Sequence, residues 1–200
     1  MPMSIERLPP RHGGESDGLT EPTGDRPKAL STFILAGGAI AATVAALPYA
    51  LPGSATVERS AIIDASPEEI FPLLASNRGF QKINPYLDAD PKLKIAFSGP
   101  DYGVGSTFAF DGKDGKGTQT ITAMEENRSV TNLIDLGSMG QPVQTFTLTP
   151  VEGGTKVVWS TTSEFGMNPI GRVIGLFMDG FLGKTYEKGL TNISNAVTAA

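Results

Sequence analysis

Cysteine is missing from this 200-residue chain, and histidine occurs once, at His12. The first absence excludes disulfides, thiolate zinc sites and thiol catalysis. The second leaves any mechanism that needs an imidazole base or ligand with a single residue, in a segment too polar to fold. Basic residues are also in deficit: 16 Lys and Arg against 21 Asp and Glu give a formal charge of −5. Nucleic-acid binding calls for a basic stripe, and none is present. Large apolar residues are scarce only in the first 28 positions, which are rich in Pro, Gly and charge. Such a composition does not bury enough surface to offset ordering entropy, so residues 1–28 are expected to be a disordered tail.

The next segment, "ALSTFILAGGAIAATVAALPYAL", residues 29–51, has not one charge. As a helix its 23 residues would span roughly 35 Å, enough for a bilayer. Arg26 and Lys28 flank its N-terminal side. The positive-inside rule then predicts a cytoplasmic N-terminus and a domain on the extracytoplasmic side, periplasmic in a bacterium. The alternative is a signal segment cleaved near Ala46 or Ala55, with the domain exported.

Residues 56–200 carry the folded domain. "TVERSAIID" alternates as a strand, and "SPEEIFPLL" starts a helix with Ser66 as N-cap, Pro67 in the first turn and Glu69 closing a capping box. Pro72 then removes one helical hydrogen bond. From 91 to 165 the apolar residues recur every second position between Gly- and Asp-rich turns. The strands expected are "KLKIAFS", "GSTFAF", "GTQTITAM", "SVTNLIDL", "VQTFTLTP" and "TKVVWSTTSEF", joined as an antiparallel meander. Asn168-Pro169 opens a long final helix.

This order, and the motifs "SPEEIF", "GVGSTFAF", "GGTKVVW" and "YEKGLTNI", resemble the helix-grip fold of the SRPBCC superfamily. That superfamily includes START-like lipid-transfer domains and polyketide cyclase/dehydrase proteins. The resemblance implies an α+β domain whose curved antiparallel sheet wraps a long C-terminal helix around an apolar cavity. With the uncharged segment ahead of it, the fold expected is a helix-grip domain behind a membrane-spanning helix. "FQKINPY" and Pro72 depart from the pattern of many relatives.

Five glycines, at 171, 175, 180, 183 and 189, occupy the final helical segment, where each costs ~1 kcal/mol relative to alanine. At 100° per residue, Met178, Leu182, Tyr186, Leu190, Ile193 and Val197 form one stripe. Gly171, Gly175 and Gly189 fall with it, whereas Gly180 and Gly183 do not. Such glycines either bring the helix close to the sheet or leave room for a ligand. Ile170, Ile174, Phe177 and Phe181 lie on the opposite side, to be covered by a loop or to meet a membrane or partner. A break at Asp179-Gly180 would make two shorter helices.

Strand parity sets Phe108 with Phe110, Phe146 with Leu148, and Val157 with Trp159 on faces that turn toward the helix. The candidate ligand-binding residues are Phe108, Phe110, Phe146, Trp159, Arg172, Met178, Leu182 and Tyr186. Asp135 and Asp179 are the acids nearest to catalytic positions, Asp135 only if its strand turns it inward with Leu133. The pairs Glu68/Glu69, Asp88/Asp90 and Glu125/Glu126 sit at helix starts and turns. Gly103-Val-Gly105 and Gly115-Lys-Gly117 are hairpin chemistry rather than phosphate loops. No metal or cofactor set emerges. The leading expectation is a domain that binds a hydrophobic small molecule or lipid, with Tyr186, Arg172 or Asp179 orienting its polar end. A cyclase/dehydrase-type enzyme and a non-catalytic interaction module with a filled core are the alternatives.

Overall fold

The computed structural model describes residues 46–199. Among them no helix is long and apolar enough to cross a membrane. The tail expected over 1–28 and most of the span expected over 29–51 lie outside the described residues. Ala46–Ala50 form a helical turn.

Seven strands run β1 (Ser54–Ile63), β2 (Lys94–Ser98), β3 (Thr107–Gly112), β4 (Gly115–Glu125), β5 (Ser129–Asp135), β6 (Val143–Val151) and β7 (Gly154–Glu164). They make one antiparallel sheet in the order β1-β7-β6-β5-β4-β3-β2, so the first strand closes on the last while β2 to β7 follow as hairpins. All seven expected strands are present, with ends shifted by one or two residues. Three short helices link β1 to β2: α1 (Pro67–Leu74), α2 (Asn77–Phe80) and α3 (Pro85–Ala89). α1 keeps Pro72, and the Ser66 N–H donates to Glu69 Oε2 at 2.7 Å as the capping box requires.

The chain ends in α4 (Pro169–Gly175) and α5 (Met178–Thr198). Asn168 Oδ1 accepts from the N–H groups of Ile170 and Gly171, opening α4 at the expected place. The expected single helix is thus two, parted at Leu176-Phe177 rather than at Asp179-Gly180. One glycine departs from the projection. Gly183 is buried, and the Arg59 guanidinium from β1 lies across it. Gly189 is buried directly beneath the Trp159 indole, where a Cβ would overlap the ring. Gly171 and Gly175 make room for Phe165, whose ring carbons would stand 2.9 and 2.5 Å from their Cβ atoms. Gly180 meets nothing. Close packing, on the sheet and on Phe165, therefore accounts for four of the five.

The core lies between the concave sheet face and α5. Val57 and Ile63 of β1, Ile121 of β4, Val130 of β5, Phe146 and Leu148 of β6, and Val157 and Trp159 of β7 all point into it. α1 supplies Ile70, Phe71 and Leu74, and α5 supplies Tyr186, Leu190 and Ile193.

Candidate functional site

Inward parity on the central strands delivers polar as well as apolar side chains. Asn132 is two residues past Val130, Gln144 two before Phe146, and Thr161 two past Trp159. The register sets Ile121, Asn132, Gln144 and Thr161 side by side across β4, β5, β6 and β7, ending at Val57 on β1. All five are buried. The Tyr186 hydroxyl comes down from α5 and donates to Thr161 Oγ1 at 2.8 Å. Gln119, diagonal to Asn132 on β4, donates to Asn77 Oδ1, and Asn77 Nδ2 donates to the Ser106 carbonyl at 2.7 Å. A band of uncharged polar groups therefore crosses the interior from α2 to α5.

Part of this band is unspent. Asn132 Oδ1, Gln144 Nε2 and the Trp159 indole N–H are buried without a hydrogen-bond partner. Each unsatisfied atom costs about 1–3 kcal/mol. Asn132 and Gln144 stand directly opposite one another, an acceptor beside a donor, yet do not bond.

Beside the band runs an aromatic cluster. Trp159 stacks on Tyr186 at 4.8 Å between centroids and packs on Phe146 at 4.6 Å. Phe80 reaches Phe108, Phe146 and Trp159, and Phe108 meets Phe110 at 6.0 Å. Met178 and Leu182 are half-buried against the wider hydrophobic core. These rings close the space under the helix. Open space is found at two edges: a cavity of about 60 Å³ by Arg78 and Ser106, and a groove of about 370 Å³ between β1 and α5, lined by Ile63 and Leu190 among others.

Burial raises the Tyr186 phenol above its ordinary range, and the bond to Thr161 only partly offsets this. Burial, with the Tyr186 phenol nearby, raises Tyr86 on α3 as well, although one side of that residue is exposed. Both are neutral phenols at neutral pH.

The charged candidates do not join this band. Asp135 is on the outer parity of β5, where its Oδ1 accepts from the Gly137 N–H at 2.8 Å and holds a 3₁₀ turn. The inward-facing parity is that of Asn132. Arg172 is spent on backbone carbonyls, those of Tyr49, Leu51 and Gly166, at 2.6 to 2.9 Å. Asp179 is exposed and takes a two-pronged bond from Arg59 at 2.7 and 3.0 Å, while Arg59 Nε donates to Glu187 at 2.9 Å. Asp179, Gly183 and Glu187 are spaced four residues apart, so the guanidinium lies on the glycine between two carboxylates. It pins the last helix to β1.

Those bonds have a pH signature. The hydrogen bonds from Arg59 hold Asp179 below the usual carboxylate range, and backbone N–H groups do the same for Asp90 and Glu69. A lowered folded-state pKa contributes stability above the unfolded-state value that disappears as pH falls through the folded-state one. Urea midpoints are thus expected to hold from pH 7 to about pH 5 and to fall below pH 4. Asp179→Asn should flatten part of that fall. A midpoint that rises on acidification would contradict the assignment.

Residues 54–198 match the family described as polyketide cyclase / dehydrase and lipid transport. No curated protein matches. Among solved structures, protein Ms6760 from Mycobacterium smegmatis superposes with a TM-score of 0.52 at 18% identity, over 72% of this chain and 91% of that one. Ara h 8.0201 superposes at 0.55 with 16% identity, over 74% of this chain and all of that one. The di-domain ARO/CYC StfQ from the steffimycin biosynthetic pathway gives 0.53 at 9% identity, over 71% of this chain and half of StfQ. At these identities the superpositions speak for the fold, and it is the helix-grip fold the motifs implied. The match over 54–198 goes further: the chain belongs to the polyketide cyclase / dehydrase and lipid transport family of the SRPBCC superfamily.

Proposed function

We propose that the domain binds a hydrophobic small molecule or lipid between its last helix and the sheet, and that the uncharged polar band receives the ligand's polar end. One observation carries this: three buried hydrogen-bonding atoms, on Asn132, Gln144 and Trp159, are left unspent on one concave face beside Tyr186. A domain that needed only a filled core could hold leucine at 132 and 144 and avoid their cost. The groove between β1 and α5 supports the reading. Its size falls within the range of small-molecule pockets, and its lining residue Leu190 is one helical turn from Tyr186.

The aromatic cluster closes the interior, so uptake is coupled to α5 lifting from β1 or to Trp159 turning aside. The ligand must differ in its affinity for the open and closed arrangements to drive that change. The polyketide cyclase/dehydrase alternative needs an acid or base at the reacting carbon. The band offers amides, hydroxyls and phenols kept neutral by burial, which orient a carbonyl or hydroxyl rather than move its proton.

The test is solvent extraction of the purified full-length chain with mass spectrometry, together with binding of a fluorescent fatty acid and a fluorescent sterol. The double variant Asn132→Leu/Gln144→Leu is expected to be at least as stable as the parent, because it removes unpaired amides. It should bind about tenfold more weakly per hydrogen bond lost. A variant that is destabilised yet binds as before would make the band structural, and a chain that carries and takes up nothing would overturn the proposal.

A further inference from the structure

The outer side of α4 and of the first turn of α5 is apolar and bare. Ile170, Ile174, Phe177 and Phe181 are 50–70% exposed. No described loop covers them, contrary to one of the two arrangements expected from sequence. Isolated exposed apolar residues are ordinary, but a contiguous patch of large ones marks an interaction surface. From Phe165 to Met178 the one ionisable residue is Arg172, and its guanidinium is turned to the carbonyls of Tyr49, Leu51 and Gly166. The α4 part of the face is therefore uncharged, and in the first turn of α5 the one charge, Asp179, is held by Arg59.

The same arginine tells where this face sits. It binds the last residues of the uncharged run 29–51, whose end contributes two more exposed apolar side chains, Leu47 at 58% and Tyr49 at 47%. A run of this length emerging from a bilayer would set a tyrosine near its end at the headgroup level, where amphipathic rings collect. α4, tied to that end, would lie at the same depth.

From this we infer that the face formed by α4 and the start of α5 is a lipid-bilayer docking surface, lying in the interface together with Leu47 and Tyr49. Apolar burial of Ile170, Ile174, Phe177 and Phe181 among acyl chains drives it, with no headgroup-specific charge. The surface stands apart from the polar band and does not depend on it.

The cysteine-free sequence allows the test in the full-length chain. Phe177→Cys, Phe181→Cys and Glu152→Cys are each labelled with a thiol-reactive fluorophore and reconstituted into phosphatidylethanolamine/phosphatidylglycerol vesicles. A fraction of the lipid carries a nitroxide on its acyl chain. Glu152 is the far control: the register sets Ser54 against Glu164 at the α4 end of the sheet and Ile63 against Thr155 at the other, beside the turn that holds Glu152. The labels at 177 and 181 are expected to be quenched at least twofold more than the label at 152. Ile170→Ser/Ile174→Ser, on the exposed face and away from the core, should reduce that quenching. Equal quenching at all three sites overturns the inference. So does a blue-shifted but unquenched label at 177 or 181, which would mean that the chain's own upstream residues or a second copy covers the face.

Discussion

Trp159→Ala is expected to cost ~3–5 kcal/mol, the range for emptying a fully buried large aromatic site. Trp159 has no exposed surface, stacks on Tyr186, touches Phe146 and Phe80, and lies on Gly189. It joins the sheet to α5 through Tyr186 and Gly189. Against a typical domain stability of about 5–15 kcal/mol, the loss is a large share. Trp159 is the only tryptophan, so unfolding of the variant must be followed by circular dichroism in urea. A loss under about 1 kcal/mol would mean that the indole borders open space instead of filling the core.

The second large effect is at Gly189. Alanine there gains up to ~1 kcal/mol in helix propensity. Its methyl would overlap the indole, and overpacking a tight core costs about 1–3 kcal/mol. The net expectation is destabilisation. In a Trp159→Leu background the same substitution should become neutral or stabilising, because the obstructing ring is gone. Residues in contact show such non-additivity, and the cycle measures it. Gly189→Ala stabilising the parent protein would show that the glycine borders a void, which is what a ready-made ligand cavity would require.

That pair of outcomes bears on how much of the fold is legible in the sequence. The glycine stripe is readable because α5 keeps a 3.6-residue period, and Gly189 falls beside Tyr186 and Leu190 on it. Which atom the glycine meets is not readable, since Trp159 is thirty positions away and reaches it only through the sheet. Gly183 stands off that stripe in projection yet is buried, because the Arg59 guanidinium from β1 covers it, a contact that no helical period shows. The inward aromatics Phe108, Phe146 and Trp159 agree with period-two alternation, the most reliable signal in an antiparallel strand.

The same alternation applies to Asn132, Gln144 and Thr161, in "VTN", "QTF" and "WST". Their type conceals them, because short polar residues in strands usually face solvent and charged groups are the more conspicuous candidates. The charged groups prove to be holders of structure. Asp135 fastens a turn, Arg172 ties α4 to the preceding segment, and Asp179 pins α5 through Arg59. In a domain with no buried charged side chain among the described residues, the informative polar residues are amides, which composition alone does not distinguish.

The proposed ligand site and the aromatic cluster share Trp159, so one probe reports on both. Full-length protein titrated with a long-chain fatty acid and with a sterol should show a saturable change in Trp159 emission, because binding at the band must move the buried indole or give its N–H a partner. The change should weaken about tenfold or more in Asn132→Leu/Gln144→Leu. Saturable uptake of either ligand with Trp159 emission unmoved, or emission changes identical in the parent and the double variant, would contradict a ligand seated on this band.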